Sequence, residues 1–367
     1  MRVINGVAAV AMTALFVGLP TPSLTAQSAA GSPPPIKAAD SAKVASRAVP
    51  LFASEAPLAV NITVNLKRLR SDRDTASPYR SATMSYAGAD GNPVAVPLKI
   101  KTHGIWRLKH CDLPPLRLNF SGKTTKRTLF EGLEKPKMVS VCRDADGAEQ
   151  DVLKELQLYR IYQLLTPSSH RARALRVTWT DSATGKAKET RYGFVFEDPA
   201  EMAVRLGGKI TKLKGAQADD LDADAAAVAY VFEYLIANTD FSFNGLHNTE
   251  LVAKPDGSPV IPIAYDFDFS GAVNAPYATV DPSLPIRRVT DRLYRGYCAH
   301  AASLPAALAL FRAKKDAIYA LYADEIGKLL TPGNVKKSLA YFDEFYDAIK
   351  APHDVDERLL RTCVGRR

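Results

Sequence analysis

Beyond its first 26 residues the 367-residue chain has no apolar run near the ~18 residues a membrane helix needs, so no membrane-spanning helix is expected in the mature chain. It contains no Gly-x-Ser-x-Gly elbow, no His-Glu-x-x-His pair and no glycine-rich dinucleotide turn, which sets those enzyme classes aside. Gly122-Lys123-Thr124 looks like the end of a P-loop, but Arg117 stands where the motif needs its first glycine, so the stretch is read as a hairpin loop. Cysteine is scarce at four residues, and none is spaced as a zinc ligand. No internal repeat is visible. Basic and aromatic residues do not interleave and no basic helix stands out, so nucleic acid is not an expected partner.

What is present begins with an export signal. Arg2, an apolar stretch from Val7 to Leu19, and a small-residue region ending Leu24-Thr25-Ala26 have the order and size of a secretory signal peptide. We place cleavage after Ala26 and expect a periplasmic or secreted protein; with no cysteine at that point, a lipoprotein is disfavoured. Residues 27–55, with Pro33-Pro34-Pro35 among many Ala and Ser, read as a flexible linker. Roughly 310 residues remain, one large domain or two closely packed ones. Export allows disulfides to persist. Of the three possible pairings, Cys111 with Cys142 and Cys298 with Cys363 keep each bridge within one half of the chain. The net charge of +9 favours anionic partners.

Apolar and polar residues alternate from Leu58 to Leu66, the period of a half-buried strand. Further strands are expected at Ser81–Tyr86, Val94–Thr102, Leu116–Phe120, Met138–Val141, Leu175–Trp179 and Tyr192–Phe196, with a helix over Asp151–Leu165. After about residue 215 the pattern turns helical, interrupted by a hairpin at Thr249–Ala253 and Val260–Tyr265. Three helices should close the chain; the clearest has Thr331 as N-cap, Pro332 at its first position and Val335, Leu339, Phe342, Phe345 and Ile349 on its apolar face. The expectation is a β-rich N-lobe (56–215) with one main helix and an α-rich C-lobe (216–367) with a β-hairpin.

The chemistry is concentrated around that hairpin. Asn238-Thr239-Asp240 and Asn248 precede it, and Asp266-Phe267-Asp268-Phe269-Ser270-Gly271 follows. Mg²⁺ takes hard oxygen ligands, commonly one or two carboxylates with phosphate oxygens. A phosphoryl acceptor needs a carboxylate to orient its hydroxyl, and kinases supply an Asp, then an Asn, then a second Asp after a short hairpin. Asn248 directly precedes the first hairpin strand, whereas Asn244 beside Gly245 suits a turn. Alone, Asp240 would be read as a loop residue satisfying backbone N–H groups; the Asp-x-Asp changes that reading. Its two members face opposite ways if extended, so one or both hold metal. His247, His103 and His110 have no partner at metal spacing and are read as structural.

On these residues the chain resembles the CotH-type secreted kinase family, over roughly residues 58 to 300. Asn238-Thr239-Asp240, Asn248 and Asp266 to Gly271 match its C-lobe motifs, and Gly193-Phe194-Val195-Phe196-Glu197 echoes a Gly-x-Tyr-x-x-x-Glu strand. Thr102-His103-Gly104-Ile105-Trp106-Arg107 matches the Arg-Gly-Asn-Ser-Ser turn in part, with His103 in place of Arg, and Leu113-Pro114-Pro115 replaces a lysine pair.

The resemblance implies a two-lobed, protein-kinase-like α+β fold that transfers a phosphoryl group from ATP or another nucleotide, with Mg²⁺ or Mn²⁺, to a protein or envelope-polymer hydroxyl. It assigns Asp240 to catalysis and Asn248, Asp266 and Asp268 to metal. Lys137, Glu155, Glu197 and Arg107 fall to the nucleotide, with Lys137 and Glu155 as the ion pair kinases use; Lys135 and Lys154 compete for the lysine's place. Tyr277 to Tyr297, with Asp291 and Arg287, Arg288, Arg292 and Arg295, is either an acceptor-binding segment or a solvated loop. The altered N-lobe turn sustains an alternative, a catalytically silent kinase-like module that binds at the cell envelope.

Overall fold

The computed structural model describes residues 49–365; the expected signal peptide and the linker up to residue 48 lie outside the described residues. The alternating segments form β1 (Leu58–Val64), β2 (Arg80–Ala87), β3 (Pro93–Thr102), β4 (Leu116–Phe120), β5 (Lys137–Val139), β6 (Ala172–Asp181) and β7 (Ala187–Phe196). They close into a barrel in the order β1-β2-β3-β4-β5-β7-β6. Every seam is antiparallel except β1 with β6, which run parallel from Leu58 opposite Leu175 to Val64 opposite Asp181.

Inward residues of each strand fill the barrel: Ile62, Val64, Met84, Val96, Ile100, Leu116, Leu118, Leu175 and Trp179 are all buried there. Each large side chain so placed contributes ~1.5–3 kcal/mol. The end of the segment read as linker joins this core. Residues Pro50–Ala53 form a 3₁₀ turn, Val49 and Leu51 pack inside, and Arg173 Nη1 donates to the Leu51 carbonyl at 2.8 Å.

The two-lobed kinase-like arrangement expected from the sequence is not what the chain forms. A closed seven-stranded mixed barrel stands where a kinase-like β-rich N-lobe was expected, and the lone hairpin of the second half gains a third strand. The strands themselves fall where the alternation placed them. Period-2 patterning says which face of a strand is buried, but not which edge it meets, and the pairing of β1 with β6 joins segments far apart in the chain.

Short helices α1 (Leu66–Ser71) and α2 (Trp106–His110) follow β1 and β3, and the main helix α3 (Asp146–Leu165) lies outside the barrel. Its buried residues Val152, Leu153, Leu156, Tyr159, Tyr162 and Leu165 belong to a second core. That core also takes Phe194 and Phe196 from β7, while Val195 between them points into the barrel. Gly193 permits the β5–β7 contact: a Cβ there would lie 2.6 Å from the Val139 carbonyl oxygen.

The remaining elements are α4 (Pro199–Arg205), β8 (Lys209–Thr211), α5 (Ala223–Ile236), β9 (Thr249–Ala253), β10 (Ile261–Ala264), α6 (Leu304–Ala320), α7 (Pro332–Ala348) and the short α8 (Pro352–Val355). The hairpin β9–β10 is joined by β8 into a sheet of order β10-β9-β8. Thr331 caps α7, its side chain accepting from Asn334 N, with Pro332 in the first turn and Phe342, Phe345 and Ile349 buried. Two disulfides join Cys111 to Cys142 and Cys298 to Cys363, the pairs that keep each bridge within one half. Among the described residues no helix is long and apolar enough to cross a membrane.

Candidate functional site

The loop after α5 is built by local capping. Asp222 starts the helix by accepting from Ala225 N, and Ala237 ends it in a left-handed conformation (φ 49°). The chain then turns back: Asn238 N donates to the Glu233 carbonyl, and the Asn238 side-chain oxygen accepts from Asp240 N at 3.0 Å. Left-handed backbone recurs at Leu246 (54°), Asn248 (51°), Asp266 (67°) and Asn274 (49°). Non-glycine residues seldom adopt it, and such strain gathers where surrounding structure fixes a functional geometry. Gly271 seats the Asp-x-Asp loop against its neighbour, since a Cβ would meet the Val289 carbonyl oxygen at 2.5 Å.

Two groups of polar side chains result. In the first, Asp240 Oδ1 lies 2.8 Å from His247 Nε2, and Asn248 Nδ2 donates to Asp240 Oδ2 at 3.0 Å and to the Asp240 carbonyl at 2.8 Å. His247, read from the sequence as structural, thus holds the carboxylate expected to be catalytic. Arg295 braces the loop from behind by donating to the carbonyls of Thr239 and Phe241.

The second group is acidic. Glu155 from α3, Asp266 and Asp268 each place an oxygen so that all three lie within 4.8 Å of one another. Glu155 is 1% exposed and Asp268 4%. The only cation in ion-pair contact with the trio among the described residues is Arg107 on α2, whose Nη1 is 3.5 Å from both Glu155 Oε2 and Asp268 Oδ2. Tyr277 Oη donates to Asp268 Oδ2 at 3.0 Å, and Asp266 N donates to Tyr159 Oη at 3.0 Å. Trp106 stacks between His110 and Tyr277, with ring centroids at 4.2 and 4.7 Å, and so pins α2 and its Arg107 over the acidic trio.

One guanidinium against three carboxylates leaves excess negative charge in a buried place. Burial lifts the Glu155 carboxyl well above the usual range, with Arg107 opposing and Asp268 and Asp266 adding to the rise. Burial also pushes Asp268 up to about 6, against the pull of Arg107 and with the repulsion of Asp266. Asp240 is raised as well, chiefly by burial; His247 and Asn248 oppose this, and repulsion from Asp268 links the two groups electrostatically. Glu155 Oε1 is buried without a hydrogen-bond partner, an acceptor left open in an acidic residue of the trio. Hard oxygen donors with surplus negative charge and an unfilled lone pair fit Mg²⁺ or Mn²⁺.

Other expected residues are placed differently. Lys137 makes no ion pair with Glu155; its buried ammonium lies 4.2 Å from the centroid of the Tyr265 ring and 5.6 Å from that of Phe196, and Arg107 takes the glutamate instead. The reason is facing: β5 carries Lys137 on the Tyr265 side, while α2 delivers Arg107 directly over α3. Of the competing lysines, Lys154 is engaged by Asp151 at 2.9 Å and by the Val273 carbonyl, and Lys135 is exposed. Glu197 is fully buried between Arg171 (2.6 Å) and Arg205 (2.9 Å), a structural knot away from the acidic trio. Asn248 is bonded to Asp240 through its amide nitrogen. In the 277–297 segment Arg292 lies on the Tyr341 ring and pairs with Glu344, Arg295 braces the Asp240 loop, and Arg287 and Arg288 are exposed.

His247 has the hydrogen-bonding role read for it, with Asp240 as its partner; Tyr277 as a partner of Asp268 was missed from the sequence. An aromatic nine residues after an Asp-x-Asp carries no signal until the loop is folded. No protein-family model matches the chain, and no curated protein matches it.

Proposed function

We propose that the chain is an exported enzyme that transfers a phosphoryl group from a nucleotide to a protein or polymer hydroxyl with the aid of a divalent metal. The observation that carries this reading is the acidic trio Glu155, Asp266 and Asp268, with its unpartnered Glu155 oxygen, in electrostatic contact with the Asp240–His247–Asn248 group. Glu155, Asp266 and Asp268 would hold Mg²⁺ or Mn²⁺, which supplies charge neutralisation for the transferred group when bound.

The chain's own residues do the remainder. Asn248 and His247 fix the Asp240 carboxylate so that it can orient an acceptor hydroxyl and take its proton. Arg107, held by the aromatic stack, contributes fixed positive charge beside the trio. Tyr277 holds Asp268 in place. The two disulfides and the absence of a membrane-crossing helix among the described residues agree with export.

The test uses purified mature protein with ATP and Mn²⁺. Mn²⁺ should add to the thermal stabilisation given by ATP, an increment that disappears in Asp266→Ala, and label transfer from ATP should fall about 10²–10⁴-fold in Asp240→Ala. Transfer that survives Asp240→Ala would remove the assigned base. Metal-dependent stabilisation without transfer would favour the silent binding module, which the unpaired Lys137 supports. No binding of metal or nucleotide would end both readings.

A further inference from the structure

The arginines of the acidic trio and the Glu197 knot each have a carboxylate beside them. A different arrangement lies on the outer face of the barrel. The register sets Lys101 on β3 opposite Arg117 on β4, and Arg117 opposite Lys137 on β5. Cross-strand partners share a face, and neighbouring strands lie about 4.8 Å apart, so three cations stand in one row. Like charges placed directly opposite destabilise a sheet.

None of the three forms an ion pair within 4.0 Å among the described residues. Lys101 Nζ donates to the Thr75 carbonyl at 3.1 Å, and Lys137 rests on the Tyr265 ring. Arg117 Nε is buried with no hydrogen-bond partner. Acids act on the row only from beyond ion-pair distance: Asp266, Glu250 and Asp198 all attract Lys137, while Asp198 caps α4 by accepting from Ala200 N and Glu250 lies 3.5 Å from Lys212. His103 sits where it feels the whole row; burial, then Lys137, Arg117 and Lys101 in turn, hold its pKa down to about 3.

The row also has a direction. Lys101 and Arg117 are half-buried and Lys137 is buried, within electrostatic reach of Asp266. A line of cations without a direct ion pair among the described residues, running from the surface towards a metal-type acidic centre, is built for a linear polyanion.

We propose that Lys101, Arg117 and Lys137 form a binding track for a phosphoanhydride chain, with its inner end at Lys137 beside the acidic trio and its outer end over Lys101. The track rests on the phosphoryl-transfer reading and names the donor class for it: the triphosphate of a nucleotide or an inorganic polyphosphate. The second source would free an exported enzyme from a supply of ATP.

The experiment measures binding of inorganic tripolyphosphate, orthophosphate, ATP and AMP to the mature, disulfide-bonded protein in EDTA, at two salt concentrations. Tripolyphosphate should bind at least about tenfold more tightly than orthophosphate, and more weakly at high salt. Arg117→Gln should lose about tenfold in tripolyphosphate affinity, since it removes a charged hydrogen-bonding partner. The same variant should melt higher than wild type without ligand, because it relieves the repulsion. Lys101→Gln should act in the same two directions.

ATP binding no tighter than tripolyphosphate would support an inorganic chain; ATP binding tenfold tighter would support the nucleotide. Equal affinity for tripolyphosphate and orthophosphate, or unchanged binding by Arg117→Gln, would overturn the track. Tripolyphosphate binding that persists in Asp266→Ala, with no label transfer by wild type, would leave the track standing and sink the phosphoryl-transfer reading alone.

Discussion

The barrel interior and the acidic centre beside α3 are both buried, yet they meet the demands of burial in opposite ways. Inside the barrel Ile62, Met84, Leu118 and Trp179 offer no charge and pack at 0–1% exposure, with the strand backbones paired around a closed sheet. At the acidic centre Glu155 and Asp268 are buried nearly as deeply, but share a single guanidinium at 3.5 Å and leave an oxygen without a partner. A buried charge without full compensation is costly. A fold keeps such a group where something else completes it. The first region therefore reads as stability, the second as function held at the expense of stability.

Substitutions can break this contrast, and the largest effect belongs to the barrel. Trp179→Ala should lower the unfolding free energy by ~3–5 kcal/mol in a denaturant titration. A much smaller loss would mean that the barrel interior is not the main source of stability.

Next come the disulfides. Replacing Cys298 and Cys363 by serine opens a bridge spanning 65 residues, with an expected loss of ~2–4 kcal/mol. The bridge ties the start of the 3₁₀ turn Cys298–His300, ahead of α6, to the C-terminal segment. Its loss should therefore expose the second half to proteolysis before the barrel.

The acidic centre should behave in the reverse sense. Because the folded-state pKa of Asp268, about 6, lies above its ordinary value of 3.8, the folded chain holds a proton there that the unfolded chain releases. Stability from this group is present at low pH and is lost as pH rises from about 4 through 6. Asp268→Asn should remove that fall, a gain on the order of 2–3 kcal/mol at neutral pH without metal, while losing Mn²⁺ binding. Thermal melts of both proteins across pH 4–8 check this; a variant less stable than wild type at pH 7 would show that Arg107 compensates Asp268 fully.

The smallest effect lies at Ala237, whose left-handed φ of 49° suits glycine better. Ala237→Gly should stabilise by ~0.5–1 kcal/mol if the strain is local.

How much of this was legible in the sequence depends on distance along the chain. Alternation from Leu58 to Leu66 and the Thr331-Pro332 cap are local signals; the cap forms as expected and the strand does too, ending at Val64 because Asn65 caps the helix that starts at Leu66. The order Asp240, Asn248, hairpin, Asp266/Asp268 was legible for the same reason: short loops bring these residues near one another. Closure of β1 on β6 was not, because nothing in either strand names its partner. The choice of Arg107 over Lys137 as partner of Glu155 was hidden too, since it depends on how α2 is seated by Trp106 against Tyr277. The cation row could have been read from Lys101, Arg117 and Lys137 as outward positions, but only once the register was known.

The parallel seam between β1 and β6 also sets a timetable for folding. Leu58 waits for Leu175, so the first strand of the barrel emerges with one edge open and stays so until more than a hundred further residues have followed. Contacts this distant in sequence form slowly, because the intervening chain must first be gathered in. An open apolar strand invites pairing with another copy in the meantime. Completing such a seam last makes the interval before closure the moment at which this protein is most exposed to aggregation.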